Sequence, residues 1–520
     1  MKKRRIWNLA FLAVFVLLFV MQIASIVSIA RLKMLPGALM ALIILVFLVY
    51  DCIAAYFMFL RGMQKMTKRN AHRIIRKRRI IASVLAVIMV CGCAVVNRVT
   101  GDVYDTLQSM QASEQIQEED TAIKRAVYVR TFDTAQTLEE SADYNYGRLI
   151  HFDDENTQQA IDAIEAQLGT SIHTKEYTSV FDMANALLSG ELDAVILSSN
   201  YTSVLEGDPQ FAEFTSMTRI LGEVEIEGSG EELDSAGLLL NAEIDIAENG
   251  KIKPFVVYIS GSDSRVNSMQ NNRSDVNIVV VVNPRSKQVL MINTPRDYFI
   301  PSTVAEGKME KLSHAGVFGV KSSIQSLEDL YDVEIPYYVQ MSFGGVTGIV
   351  DAIGGVTIYS DEEFVLYEDV GVIRMGENHL NGQLALAYAR TRKGVEGGDL
   401  GRGNHQMEII SAIINQATSG TTILANYAAI MQSVEGLFIM NIPNQLISAL
   451  VKEQLADMSG WTVASFSTYG EGGYGEVHSV PGASAYIITP DEASVAKASK
   501  LIDMALNDEI ITADVINSIT

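Results

Sequence analysis

Residues 6–30 make an apolar run of 25 residues without one ionisable side chain. As a helix, such a run crosses the ~30 Å hydrocarbon core of a bilayer. Two more follow: residues 38–60, whose only charge is Asp51, and residues 80–97, which at 18 residues are just long enough. A cleaved leader has a shorter apolar centre and a soluble chain behind it. Three successive runs predict a membrane anchor over residues 1–98 instead.

Charge sets the expected orientation. Lys2, Lys3, Arg4 and Arg5 precede the first run, and the loop 61–79 holds nine basic residues and no acid. The positive-inside rule keeps both in the cytoplasm, against only Arg31 and Lys33 on the other side. Three spans then place everything after about residue 98 outside. Asp51 reads as a helix-end or packing residue rather than a proton relay, because no acid or base stands near it in sequence. Val90-Cys91-Gly92-Cys93 loosely resembles a lipoprotein cleavage box, but it lies in the third run, so lipidation is not expected. All three cysteines (Cys52, Cys91, Cys93) fall in the spans, which leaves the exported part without a disulfide.

The net charge of −22 coexists with 48% hydrophobic residues because the two properties occupy different compartments. Residues 1–98 hold 16 basic and 1 acidic residues; residues 99–520 hold 24 basic and 61 acidic. An exported domain that acidic does not wrap nucleic acid, which requires clustered positive charge. Its acidity instead opposes nonspecific sticking to an anionic envelope.

Periodicity divides the exported part. Residues 99–122 are polar and helical in flavour and read as a stalk. Residues 123–250 read as a small α/β accessory domain, with strands at 126–129 and 194–197 and helices at 156–168 and 180–188, ending near Leu221. Acidic residues 222–250 follow as a linker or an edge hairpin. From 251 to 510 the pattern is an α/β/α layered domain with a central mixed sheet: strands at 255–259, 276–282, 288–293, 335–339 and 356–359, and helices at 348–353, 380–388, 406–416 and 493–506. Residues 511–520 are left as a tail.

Within this last domain Arg265, Arg273, Arg296, Arg390, Arg392 and Arg402 each fall beside a predicted element end or a Gly- or Pro-containing loop. Strand ends of layered α/β sheets are where ligands bind. Guanidiniums converging there suit phosphate or pyrophosphate, because the planar fork pairs two oxygens at once. Asp263 and Asp275, interleaved with them, are hard oxygen donors suited to Mg²⁺. The helix expected to open near Gln406 adds N-terminal amides for the same anion. One Arg/Asp pair alone reads as a surface ion pair; six arginines at successive loop tips read as a site. No nucleophile elbow, zinc-protease helix or Walker loop is present. Ser494 and Lys497 share a Ser-x-x-Lys spacing by chance on a terminal helix, and His314 and His405 carry modest weight as supports of the site.

Arg273-Ser-Asp275-Val, Asn293-Thr-Pro-Arg296-Asp297, Lys311-Leu-Ser-His-Ala-Gly316, Val350-Asp-Ala-Ile-Gly-Gly355-Val and Ala387-Tyr-Ala-Arg390-Thr-Arg392 occur in that order. With Asp399-Leu-Gly-Arg402-Gly-Asn-His405-Gln406 they resemble the LytR–CpsA–Psr family over roughly 250–510. The three-span anchor and small preceding domain look like its CpsA-like branch. The resemblance implies an extracytoplasmic phosphotransferase of a Gram-positive-type envelope. Such an enzyme moves a glycopolymer (teichoic acid, capsule or another wall polysaccharide) from a polyprenyl-pyrophosphate carrier to peptidoglycan, using Mg²⁺ or another divalent cation such as Mn²⁺. Membrane lipid and envelope-synthesis proteins are its further partners. Carried over by motif, Asp263 and Asp275 are the metal-side acids. Arg265, Arg273, Arg296, Arg390, Arg392 and Arg402 form the pyrophosphate clamp, with Gln406 beside it.

The catalytic group the resemblance implies is Arg296, Asp275, Asp297, Arg390 and Arg392, and Asp275 and Asp297 are both candidates to take the acceptor proton. An apolar tunnel for the polyprenyl chain is implied, with residues 317–320 and 349–356 as its walls. Two positions depart from the family pattern: His405 stands where many members have Arg, and Ser342 where many have an acid. A hydrolase acting on the same lipid and a non-enzymatic receptor for it remain rival readings. The cytoplasmic segments are too short for a DNA-binding domain.

Overall fold

The computed structural model describes residues 2–59, 68–119, 122–150, 154–198, 200–206, 210–227, 251–262, 273–302, 307–392, 394, 398–418, 430, 433 and 437–519. They fall into two compact units, one of residues 1–109, 418–432 and 443–459, the other of the remainder.

In the first unit, Lys2–Arg31 (α1), Gly37–Phe59 (α2) and Lys68–Glu119 (α3) are helices. Each holds a stretch long and apolar enough to cross a membrane: Leu9–Arg31, Gly37–Met58 and Lys77–Asp105. Leu45, Val84 and Ile88 are more than half exposed, as side chains facing lipid tails are. Leu18, Ala54, Met58, Ala82 and Ala86 pack the three helices together, and the alanines let the backbones come close. Asp51 is buried on α2 against Gln22 of α1, whose amide nitrogen, turned toward it, donates to both carboxylate oxygens at 2.9 and 3.0 Å. Asp51 is thus a packing residue between helices. No proline interrupts α3, so the polar stretch expected as a separate stalk is the continuation of the third span up to Glu119.

The second unit contains two sheets. The accessory sheet has Ala122–Arg130 (β1), Asn145–Leu149 (β2), His173–Tyr177 (β3), Ala194–Leu197 (β4) and Thr218–Glu227 (β5) in the order β3-β2-β4-β1-β5. Helix Asp154–Leu168 (α4) buries Ala160, Ile161 and Ile164 against one face. Helix Val180–Ser189 (α5) buries Val180, Met183 and Leu187 against the other. Ser179 caps its start, and Gly190 closes it in the left-handed conformation at φ 84°. The accessory domain does not end near Leu221. Residues 222–227 belong to β5, which pairs along the whole of β1; residues 228–250 lie outside the described residues.

The larger sheet contains Phe255–Ser262 (β6), Val276–Asn283 (β7) and Gln288–Asn293 (β8). Phe299–Pro301 (β9) and Met309–Lys311 (β10) form a small ribbon beside it. Tyr337–Ser342 (β11) begins two residues later than the run 335–339 suggested. Val356–Ser360 (β12) is not in this sheet. It pairs with Gly376–Leu380 (β15) in a separate two-stranded ribbon, and Phe364–Val365 (β13) and Val372–Ile373 (β14) form another between them in sequence. Phe438–Met440 (β16) and Thr462–Ser467 (β17) complete the order β16-β11-β6-β7-β8-β17. Strands β6, β8, β11 and β17 run one way and β7 and β16 the other. A hairpin of Gly470–Val477 (β18) and Val480–Pro490 (β19) follows.

Every residue of β8 is buried, because helices cover both faces. On one face Val279, Val281, Leu290 and Ile292 meet helices Val320–Tyr331 (α6) and Glu492–Leu506 (α11). On the other lies helix Asp399–Thr418 (α9), whose Asn404 accepts from Ser467 at 2.7 Å. Between them in sequence come Phe343–Ala352 (α7) and Gly382–Arg390 (α8), while Asn444–Asp457 (α10) belongs to the first unit. Residues 511–519 are not a tail: Ile511 and Ile519, flanking helix Ala513–Ser518 (α12), are buried in the same core as β7 and β8.

Candidate active site

The four co-directional strands end at one edge, and the loops that enter β7 and leave β8 meet there. Arg273-Ser-Asp275 enters β7, and Thr294-Pro-Arg296-Asp297 leaves β8. A cleft of about 100 Å³ at this edge is lined by Asp275, Asn293, Thr294, Pro295, Arg296, Leu400, Arg402, Gly403, Gln406, Tyr469, Gly470 and Ile488.

A buried polar network fixes the first loop. Ser274 Oγ donates to the Val276 carbonyl at 2.9 Å and contacts the hydroxyls of Tyr258 and Ser260 at 2.9 and 2.8 Å. Tyr258 in turn donates to Asn277 Oδ1 at 2.6 Å. The second loop is held by Thr294, whose hydroxyl contacts that of Tyr331 at 2.7 Å, and by Tyr298, which donates to the Tyr469 carbonyl at 2.7 Å. Buried hydroxyls with satisfied partners fix a geometry more firmly than an apolar contact would.

The Lys311-Leu-Ser-His segment laces the two loops together. Ser313 donates from its backbone to the Arg296 carbonyl at 2.8 Å, and its own carbonyl accepts from Ser274 at 3.1 Å. Lys311 Nζ meets Asp297 Oδ1 at 2.6 Å.

Charge converges on Asp275. Arg296 Nη1 lies 2.6 Å and Arg273 Nη2 3.1 Å from its Oδ1. Burial pushes the Asp275 carboxyl up, but Arg273, Arg296 and Arg402 outweigh it and hold the group far below the usual carboxylate range. Burial likewise pushes Asp297 up, and Lys311, Arg296 and Arg273 bring it below its ordinary value. Both acids are therefore ionised at neutral pH, and the cleft holds guanidiniums already oriented by fixed carboxylates.

Of the expected clamp, the structure brings Arg273, Arg296, Arg402 and Gln406 to one place. Arg390 instead packs over the Tyr367 ring at 4.4 Å, Arg392 is exposed, and neither lines the cleft. Asp263 and Arg265 lie outside the described residues. Gln406 does not sit at a helix start: α9 opens at Asp399, two turns earlier, so Arg402 occupies the first turn and Gln406 faces the cleft from mid-helix. The Gln406 amide donates to the Ala389 carbonyl at 3.3 Å. Gly403 lets α9 approach β8, since a Cβ there would collide with the Asn293 amide.

At the expected tunnel walls most of the described apolar side chains are buried. Val317 is fully buried in a cluster with the accessory domain, Val320 belongs to the central core, and Val350, Ile353 and Val356 are all buried. Lys311, Asn293, Tyr469 and Ile488 were not singled out in the sequence. Lys311 and Asn293 each opened a motif, while Tyr469 and Ile488 carried no signal beyond, for Tyr469, a Gly-rich neighbourhood.

The departure at His405 has a structural account. Its ring packs against both Tyr388, at 4.1 Å, and Phe364, at 5.3 Å, in a three-ring cluster, and does not line the cleft. Burial pushes its imidazole down to about 4. Between pH 6.5 and 4 the unfolded chain therefore binds a proton that the folded chain refuses, so folding stability falls as pH drops through that window. The loss reaches about 3 kcal/mol. Denaturant unfolding across this range is expected to show a flatter pH dependence for His405→Phe than for the unaltered chain. Equal slopes would remove the assignment. Ser342 ends β11 beside Ser262 of β6, at the same sheet edge.

Comparison with known proteins identifies the family. A model of the LytR_cpsA_psr family matches residues 231–498, just over half of the chain. A polyisoprenyl-teichoic acid–peptidoglycan teichoic acid transferase TagU of Bacillus licheniformis is 35% identical over 171 residues, 33% of this chain and 54% of that protein. The protein of the same name from Halalkalibacterium halodurans is 37% identical over 172 residues, 33% of this chain and 55% of its own length. The chain thus spans about half the length of these relatives. The crystal structure of B. subtilis TagV aligns at 27% identity with a TM-score of 0.42, covering 49% of this chain and 98% of that one. The ordered motifs and the match across residues 231–498 have one reading: this chain belongs to the LytR–CpsA–Psr family.

Proposed function

We propose that the chain is a membrane-anchored extracytoplasmic phosphotransferase that moves a glycopolymer from a polyprenyl-pyrophosphate carrier to peptidoglycan. The observation that carries this reading is the guanidinium cluster of Arg273, Arg296 and Arg402 around the ionised Asp275. Two relatives named as teichoic acid transferases support the substrate class. The three apolar helices and the basic loop 61–79 support an exported site tethered close to its lipid.

In this mechanism the acceptor sugar hydroxyl attacks the phosphorus on the glycan side of the pyrophosphate. The bond from that phosphorus to the bridging oxygen breaks, and polyprenyl phosphate leaves with the electron pair. Arg296, Arg273 and Arg402 neutralise charge that spreads over the phosphoryl oxygens, so positioning and electrostatics supply most of the rate. The acceptor proton passes to a carboxylate, Asp275 or Asp297, or onward to solvent. Mg²⁺ fits the donor chemistry here. Asp275 supplies one carboxylate at the cleft, and Mg²⁺ commonly takes one or two of these and fills its shell with phosphate oxygens and water. When bound there, it would supply further neutralisation of the pyrophosphate.

The test uses the full chain in lipid nanodiscs with a lipid-linked glycopolymer, Mg²⁺ and peptidoglycan, with products read by mass spectrometry. Linked polymer together with polyprenyl phosphate is the expected result. Free phosphorylated glycan would indicate hydrolysis, and unchanged lipid a receptor.

A further inference from the structure

Strand β18 reads Gly470-Glu-Gly-Gly-Tyr-Gly-Glu-Val477, four glycines in eight residues. A strand so poor in side chains packs badly unless something needs its bare backbone. Its pairing with β19 shows two uses, one on each face. Cross-strand partners share a face, and neighbours along a strand alternate.

On one face lie Gly473 with Ile487, Gly475 with Ala485, and Val477 with Val480. Val477, Val480 and Ile487 are buried in one cluster with Met183 and Leu187 of the accessory helix α5. A Cβ on Gly475 would come within 2.7 Å of Ile487 Cδ1. This face is therefore fixed by the accessory domain.

The opposite face carries Tyr474 paired with Tyr486, then Gly472 paired with Ile488. Tyr474 is 76% and Tyr486 46% exposed, with ring centroids 5.7 Å apart and planes at 76°. The Tyr486 hydroxyl occupies the space where a Gly472 side chain would begin, so its ring lies along the strand toward Ile488. Ile488 itself lines the catalytic cleft, as does half-exposed Tyr469 at the base of the hairpin. The result is an aromatic strip that starts in open solvent and ends at the guanidinium cluster.

The geometry points to a saccharide platform: Tyr474 and Tyr486 hold pyranose rings of the acceptor glycan strand and lead its hydroxyl into the cleft. The name acceptor rests on the transferase reading above. Aromatic faces are electron-rich and attract the weakly positive C–H face of a sugar ring, and exposed aromatic pairs on an anchored strand mark binding surfaces. Charge selects which glycan lies there. β18 brings Glu471 and Glu476, and neither β18 nor β19 carries a basic residue. A phosphate-rich polymer is repelled, whereas an uncharged or weakly charged strand is not, and Glu476, on the tyrosine face, can accept sugar hydroxyls.

Two measurements on the full chain in nanodiscs test this. Short soluble peptidoglycan glycan strands are titrated by calorimetry against the unaltered chain, Tyr486→Phe and the double variant Tyr474→Ala/Tyr486→Ala. The double variant is expected to bind at least about tenfold more weakly, and Tyr486→Phe to bind nearly as well, because it keeps the ring. In transfer assays the double variant is expected to raise the acceptor KM about tenfold and leave the donor KM unchanged. No strand binding by the unaltered chain, binding unmoved by the double variant, or a rise in donor KM instead would overturn the platform. If the unaltered chain binds strands through these tyrosines yet transfers nothing, the platform stands and the transferase reading fails.

Discussion

Arg296→Ala is expected to lower glycopolymer transfer at least about 100-fold, the loss that follows removal of one transition-state stabiliser. Three observations single out this arginine. It lines the cleft, its Nη1 lies 2.6 Å from Asp275, and its Nε lies 3.6 Å from Asp297. Its carbonyl is also tied to Ser313 at 2.8 Å, so its backbone cannot drift. Arg296→Lys keeps the charge but loses the planar fork that reaches both Asp275 and Asp297 and suits a phosphate, and little activity should return. Asp275→Ala is expected to fall as far, because it releases Arg273 and Arg296 together. Single-turnover transfer with saturating lipid-linked donor reads the effect. Near-unaltered rates in both Arg296→Ala and Asp275→Ala would sink the assignment of this cleft as the catalytic site.

What the sequence revealed of this site depended on the kind of signal each residue carried. Strands β6, β7 and β8 were legible because their β-branched runs are buried on both faces and bounded by turns. Arg273, Asp275, Arg296 and Asp297 were legible because each sits at the end of such a run. The start of α9 was hidden: Gly398-Asp-Leu-Gly-Arg-Gly reads as loop, yet Gly403 is inside the helix because Asn293 leaves no room for a side chain. That constraint comes from a strand more than a hundred residues away, and local propensity does not contain it. β18 escaped notice for a similar reason, since a glycine-rich strand has no apolar alternation and is specified by what packs on it. Arg390 and Arg392 show the converse: their spacing matched the motif, while the fold stacks Arg390 on Tyr367. At the C-terminus, Ile511, Val515, Ile516 and Ile519 do have helical spacing, but six helical residues are too few to stand out from a tail.

Glu310→Ala is expected to cost about 3–5 kcal/mol of folding stability, although Glu310 touches no substrate-facing atom, because it strands a buried network. The carboxylate is 1% exposed. Its Oε1 accepts from the Lys311 backbone at 2.8 Å and from His314 Nδ1 at 3.1 Å, and its Oε2 accepts from the Ser479 backbone at 2.6 Å. Burial pushes this carboxyl up, and the donors from His314, Lys311 and Ser479 more than offset it, so Glu310 stays ionised. Burial also lowers the His314 pKa, which leaves a neutral imidazole whose Nδ1 proton is directed at the acid. Removing the acid takes the acceptor from the Lys311 and Ser479 backbone N–H groups and leaves His314 Nδ1 only the Ser479 hydroxyl at 3.0 Å, the costly side of hydrogen-bond energetics. Glu310→Gln keeps the shape but turns an amide toward one of those donors, and should recover only part of the loss. A surface pair offers the contrast: Lys124 and Glu225 lie 3.6 Å apart with both side chains more than half exposed, and Lys124→Ala should change stability by less than about 1 kcal/mol. Thermal unfolding followed by near-ultraviolet dichroism should show Glu310→Ala lowered by on the order of 10 °C. A shift no larger than that of Lys124→Ala would mean that the turn at Ser479 and the Lys311 segment are held by packing alone. Because Ser313 of that same segment ties the Arg273 and Arg296 loops together, transfer should fall in Glu310→Ala even at temperatures where the protein remains folded.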